Sequence, residues 1–82
     1  MTVPAVSERE ILRILLDALA TELEVAGPLD PDEVFTDLGL DSAGLVVVAG
    51  QLEEGLGIEV PQELLFDHPT PRRLAAWLAR HG

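Results

Sequence analysis

Apolar residues near the start of the chain recur at the spacing of an amphipathic helix. They are Ile11, Leu12, Ile14, Leu15, Leu16, Leu19 and Leu23, and the charged residues Glu10, Arg13, Asp17 and Glu24 interleave with them. Ser7 followed three residues later by Glu10 has the pattern of a capping box, which marks a helix start. The pair Gly27-Pro28 is a stop signal. The pattern therefore predicts a first helix over about residues 7–25.

The next stretch, AGPLDPDEVFTDLGLD, has the composition of a loop, because it holds two prolines, two glycines and several aspartates. A loop this long in a compact domain is usually functional or contains a turn of its own. Asp30-Pro31 is suited to begin such a turn. The apolar residues expected to fix the loop to the core are Leu29, Val34, Phe35 and Leu38.

The segment SAGLVVVAGQLEEGLG combines two opposing signals. Three successive valines, residues 46–48, favour a strand by propensity. The longer pattern favours a helix, because one helical face collects the residues Leu45, Val48, Ala49, Leu52 and Leu56. We predict a helix that ends at Gly55 or Gly57, although Gly44 and Gly50 inside it cost about 1 kcal/mol each relative to alanine.

The last third predicts two more helices. Pro61 opens a short one through Phe66, and Thr70 caps a final one that begins at Pro71. Phe66 and Trp77 are expected in the core. The predicted fold class is all-α: a small four-helix bundle with a short third helix and a long loop between the first two helices. Residues 1–82 are expected to form a single domain.

Composition narrows the possible functions. The 82 residues carry a net charge of −10, with five arginines and no lysine, and a surface of this charge disfavours nucleic acid. Cysteine is absent, which fits a reducing cytoplasm and excludes a thiolate metal site. No stretch resembles a signal peptide or a membrane span. No structural metal is expected, because residues 30–41 carry Phe35 and Asp41 where a calcium loop needs glycine and glutamate.

Ser42, at the start of the valine-rich helix, is the main candidate for chemistry. The plain interpretation is a helix cap, a task that Asp41 could also perform. A hydrolase nucleophile is disfavoured, because Gly39 lies three residues before Ser42 where the nucleophile elbow requires two. The third interpretation is an acceptor of a phosphorylated group, since a helix start stabilises a phosphate.

The motif LGLDS before an apolar helix, followed by GIEVPQELLFDHPTPRRLAAWL, resembles the acyl carrier protein family, and more narrowly the carrier domains of polyketide synthases. The resemblance runs from about Ile11 to Leu78. It implies that Ser42 carries 4′-phosphopantetheine, whose thiol holds acyl or polyketide intermediates as thioesters, and that the protein is not itself an enzyme. Asp41 matches the family's aspartate before the serine and is expected to help present Ser42 to the phosphopantetheinyl transferase. Leu40 is expected to anchor the loop inward.

The resemblance further implies that the Ser42 helix docks partner enzymes: the transferase, an acyl-loading enzyme, a ketosynthase and processing or release enzymes. The candidate docking residues are Ala43, Val46, Val47, Glu53 and Glu54. Ala43 departs from the large apolar residue that the family often has there, so we expect Val46 and Val47 to supply the apolar contact, with core packing as the alternative. The isolated domain is expected to be a cytoplasmic monomer with no membrane partner.

Two other functions remain open. A peptidyl or aryl carrier of a nonribosomal peptide pathway resembles this chain, although GLDS with FDHPT favours the polyketide type. An unmodified helical interaction module would need Ser42 only as a cap.

Overall fold

The computed structural model describes residues 7–26 and 28–81, and within these residues the protein forms five α-helices. They are α1 (Glu8–Leu23), α2 (Phe35–Leu38), α3 (Ser42–Leu56), α4 (Glu63–Asp67) and α5 (Pro71–His81). The predicted all-α bundle is confirmed, with α1, α3, α4 and α5 as its four helices. The long loop contains one additional turn of helix, α2.

Helix α1 begins as its sequence predicts but ends earlier. The Ser7 hydroxyl accepts a hydrogen bond from the Glu10 N–H at 3.1 Å, which satisfies a free donor of the first turn. The helix ends at Leu23, because Glu24 adopts a left-handed conformation with φ of 57°. The helix therefore ends two residues before the predicted boundary at about residue 25, and Gly27 of the predicted stop signal lies outside the described residues.

The core lies where α1 packs against both α3 and α5. Its buried apolar side chains are Ile11, Leu15, Leu19, Phe35, Leu40, Leu45, Val48, Ala49, Leu52, Val60, Leu65, Leu74, Ala75 and Leu78. Helices α1 and α3 are antiparallel, since Gly39 before α3 lies against Leu23 while Gly55 near its end lies against Ile14. The start of α3 is thereby brought to the end of α1.

The long loop is fixed to the start of α5. The Arg72 N–H donates to the Pro31 carbonyl at 2.9 Å, and the Phe35 N–H donates to the Pro69 carbonyl at 2.9 Å. The Arg72 guanidinium also donates to Asp32 at 2.7 Å, and this bond raises the pKa of Arg72. The loop therefore has a defined path, and it enters α3 from a fixed direction.

The predicted positions of the two large aromatic residues are only partly correct. Phe66 is 56% exposed, so its assignment to the core was wrong. Trp77 is half-buried against the core, and its ring lies near those of His68 and His81, with centroids 5.3 and 4.5 Å away. Thr70 caps α5 as predicted, because its hydroxyl accepts from the Arg73 N–H at 3.2 Å.

Neither a membrane-spanning helix nor a cluster of metal-ligating side chains occurs in the part of the chain that the structure describes. Within residues 7–26 and 28–81, no helix is long and apolar enough to cross a membrane. The same residues contain no group of three metal-ligating side chains close enough to hold an ion.

Candidate functional site around Ser42

Three residues before Ser42 set the geometry of the site. Gly39 ends α2 with φ of 114°, a left-handed conformation that a side chain would strain. Leu40 then turns inward and is buried, as predicted. Asp41 follows in an extended conformation and leads directly into the first turn of α3. The chain thus passes from a tight turn, through one core anchor, to an exposed Asp41–Ser42 pair.

Asp41, not Ser42, caps α3. Its carboxylate accepts a hydrogen bond from the Gly44 N–H at 2.8 Å, and it stands at the N-cap position. Ser42 is the first helical residue and is exposed to solvent. The helix therefore does not need the Ser42 hydroxyl to satisfy its first turn, so this hydroxyl is accessible for a reaction.

Gly44 lies close to both the core anchor and the cap that precede Ser42, which sequence reasoning missed. A Cβ at this position would stand 2.9 Å from Leu40 Cδ2 and 3.3 Å from Asp41 Oδ1. Both neighbours define the approach to Ser42, one as its core anchor and the other as its cap. The only signal in the sequence was a glycine in the first helical turn, where it otherwise costs stability.

The outer face of α3 is apolar near Ser42 and acidic near its far end. All five candidate docking residues are exposed: Ala43, Val46, Val47, Glu53 and Glu54. Val46 is 51% exposed and Val47 is 42% exposed, so the alternative that these valines pack in the core is excluded. From Ser42 to Leu52 the helix contains no charged residue.

The chain is similar to a known protein family and to parts of known proteins. Residues 13–78 match the family described as "Phosphopantetheine attachment site". Pikromycin polyketide synthase component PikAII from Streptomyces venezuelae is 36% identical over 90% of this chain and 2% of its own length. Polyketide synthase GfsE from Streptomyces halstedii is 36% identical over 88% of this chain, again 2% of its own length.

Among solved structures, a free-standing peptidyl carrier protein from an Acinetobacter baumannii secondary metabolic pathway is similar. It superposes with a TM-score of 0.84 at 35% identity, covering 92% of this chain and 95% of that one. The family match spans most of the chain, so the protein belongs to the phosphopantetheine-attachment family of carrier domains. The covalent cofactor of this family is 4′-phosphopantetheine.

The residues at the start of α3 fit such a group. An attachment serine must present its hydroxyl to an enzyme, and Ser42 is exposed. Its hydroxyl is not needed as the helix cap, because Asp41 performs the capping. The positive end of the helix dipole stabilises a phosphate at this position.

Proposed function

We propose that Ser42 is the phosphopantetheine attachment site and that residues 1–82 act as a single carrier domain of the polyketide type. The observation that carries the proposal is the division of tasks between two adjacent residues. Asp41 caps α3 through the Gly44 N–H at 2.8 Å, so the exposed hydroxyl of Ser42 can react without loss of the helix start.

The attachment step transfers one group from coenzyme A. Ser42 Oγ forms a bond to the phosphorus that bears pantetheine. The bond from that phosphorus to the remaining adenosine bisphosphate breaks, and the hydroxyl proton passes to a base of the transferase. Once bound, the group supplies the thiol on which acyl chains are held as thioesters. The chain's own part is to position the hydroxyl and to present a surface for docking, so we propose no catalytic residue in it.

Asp41 has a second task in this proposal. Asp41 is exposed to solvent although its carboxylate caps α3. Placed directly before Ser42, it adds negative charge where the transferase brings its metal-bound coenzyme A. We therefore assign Asp41 to presentation of Ser42, as a positioning residue.

We further propose that the exposed face of α3 docks the transferase, the acyl-loading enzyme, the ketosynthase and the processing or release enzymes. Ala43, Val46 and Val47 form an apolar area beside Ser42, whereas Glu53 and Glu54 suit basic rims on these partners. Exposed ion pairs contribute little affinity but steer encounter. We expect neutralising both glutamates to lower the association rate more than it raises the dissociation rate.

The proposed attachment is tested by intact mass after incubation with coenzyme A, magnesium and a broad-specificity bacterial phosphopantetheinyl transferase. The chain contains two serines, Ser7 and Ser42, which gives a matched control. We expect the wild type and Ser7→Ala to gain one phosphopantetheine and Ser42→Ala to gain none. A gain that persists in Ser42→Ala would place the attachment elsewhere. A folded wild type that gains nothing would favour the unmodified interaction module.

A peptidyl carrier is the second candidate, favoured by the structural similarity to the peptidyl carrier protein from Acinetobacter baumannii. The polyketide relatives support the first candidate. Two loading reactions on the modified protein separate the candidates. One uses a polyketide acyltransferase with malonyl-CoA, and the other uses an amino-acid adenylating enzyme with ATP and its amino acid. We expect faster thioester formation with the acyltransferase, and the reverse order would favour the peptidyl carrier.

A further inference from the structure

Phe66 is an exposed aromatic residue that the fold itself does not use. Its side chain is 56% exposed, whereas the adjacent Leu65 is buried at 2% and Leu64 is half-buried against the core. Successive residues of a helix differ in direction by about 100°. Because α4 directs Leu65 into the core, Phe66 must face outward.

The backbone around Phe66 holds it in this position. The Leu65 N–H donates to the Gln62 carbonyl at 3.0 Å, and the His68 N–H donates to the Leu64 carbonyl at 2.9 Å. The segment after α4 is in turn bonded to α2 through the Phe35 N–H and the Pro69 carbonyl. The ring is therefore presented from a fixed helix, which lowers the entropy that a partner must remove on binding.

Phe66 borders a shallow groove whose lining includes Leu45 near the start of α3. The groove has a volume of about 190 Å³, and its walls include Phe35, Leu45, Leu65 and Pro69. Leu45 lines the groove and follows Ser42 by three residues, so the groove reaches the turn of α3 that begins at Ser42. An enzyme that reaches Ser42 along this side would cover Phe66.

We propose that Phe66 is an anchor residue for the phosphopantetheinyl transferase, which covers the Phe66 ring and its groove while it modifies Ser42. The inference rests on the proposed function. Charge supports this occupant: Glu63 and Asp67, on either side of Phe66 in α4, are exposed, and no basic residue occurs between Asp17 and Asp67. A partner with an apolar centre and a basic rim is complementary to this surface. Buried aromatic anchors of this kind commonly carry a large share of binding energy.

The test compares Phe66→Ala with Val25→Ala as the matched control. Val25 is an exposed apolar residue of similar exposure, 43%, that does not line the groove. Initial rates of phosphopantetheine transfer by the broad-specificity transferase would be measured against the concentration of the unmodified protein. We expect Phe66→Ala to raise KM about tenfold with kcat nearly unchanged, as truncation of an interface anchor does. Phe66→Leu should recover part of the loss, and Val25→Ala should match the wild type.

A direct binding measurement supplies an independent readout. In a Ser42→Ala background, the Kd for the transferase should rise about tenfold on Phe66→Ala, while thermal unfolding stays unchanged because the ring is exposed. Wild-type KM and Kd for Phe66→Ala would overturn this inference and leave the proposed function standing. A wild type that is never modified would overturn the proposed function, and this inference with it.

Discussion

The two serines of the chain should respond in opposite ways to the same substitution. Ser7 caps α1, since its hydroxyl accepts from the Glu10 N–H at 3.1 Å. Ser42 occupies the first helical position of α3 and leaves capping to Asp41. Serine to alanine therefore removes a structural hydrogen bond at Ser7 and only a solvent-exposed hydroxyl at Ser42.

The magnitudes follow from these roles. Loss of a serine cap costs about 1 kcal/mol, within a range of about 0.5–2 kcal/mol. In a domain of this size, 1 kcal/mol lowers Tm by about 4–8 °C. Ser42→Ala removes an exposed hydroxyl that has no capping role, so its free energy of unfolding should stay within about 0.5 kcal/mol of the wild type. Asp41→Ala should resemble Ser7→Ala, whereas Asp41→Asn should retain most of the cap.

Urea and thermal unfolding of the unmodified proteins measure these differences directly. Each variant would also be incubated with the transferase, so that stability and modification are obtained from the same samples. We expect Ser7→Ala to be destabilised and modified, and Ser42→Ala to be stable and unmodified. If Ser42→Ala loses as much stability as Ser7→Ala, the hydroxyl of Ser42 is a cap and the reasoning is wrong.

Three other perturbations have outcomes that the contacts determine. Gly50→Ala should raise the free energy of unfolding in urea by about 0.5–1 kcal/mol, because nothing lies within 4 Å of the added Cβ. Gly44→Ala should bring no such gain, since its Cβ would meet Leu40 Cδ2 at 2.9 Å; equal gains at both positions would contradict this. Glu10→Gln should slightly lower Tm at neutral pH, because the hydrogen bond from Arg13 holds the pKa of Glu10 below its ordinary 4.5. Because the pKa of Glu10 is lowered in the folded state, the ion pair stabilises the protein at pH values above 4.5, and this stabilisation is lost as the pH falls through the folded-state pKa. The Tm values of the wild type and Glu10→Gln should therefore converge in acid. A Tm difference that stays constant with pH would contradict this prediction.

The helical period and the capping signals were sufficient to predict the bundle. The apolar positions of α3 outweighed the strand propensity of three valines, because one face buries Leu45, Val48 and Leu52. Boundaries were harder to predict. Helix α1 ends at Leu23 before a left-handed Glu24, and glutamate is a residue type that gives no stop signal in a sequence.

The errors near the site all concern tertiary contacts, which a sequence does not display. Hydrophobicity alone assigned Phe66 to the core, but three successive apolar residues on a short helix cannot all face inward, and Leu65 occupies the buried position. Gly44 was counted only as a cost to the helix, since its use depends on the approach of Leu40 and Asp41. The choice of Ser42 as the attachment residue stays a prediction, whereas its freedom from capping required the observed bond between Asp41 and Gly44.

Because Asp41 and not Ser42 caps α3, a group attached to Ser42 should leave the cap intact. If Ser42 were the cap, a substituent on its oxygen would disturb the acceptor that the first turn depends on, at a cost of about 1 kcal/mol. With Asp41 as the cap, the 2.8 Å bond to the Gly44 N–H is independent of what Ser42 carries. Added phosphate charge at a helix start contributes a further stabilisation of about 0.3–1 kcal/mol.

We therefore expect the Gly44 amide to exchange with deuterium at least as slowly after modification as before it. The amide of Val48, one turn further along α3 at a buried position, supplies the internal reference. Faster exchange at Gly44 with unchanged exchange at Val48 would mean that attachment opens the helix start and that Asp41 does not secure it.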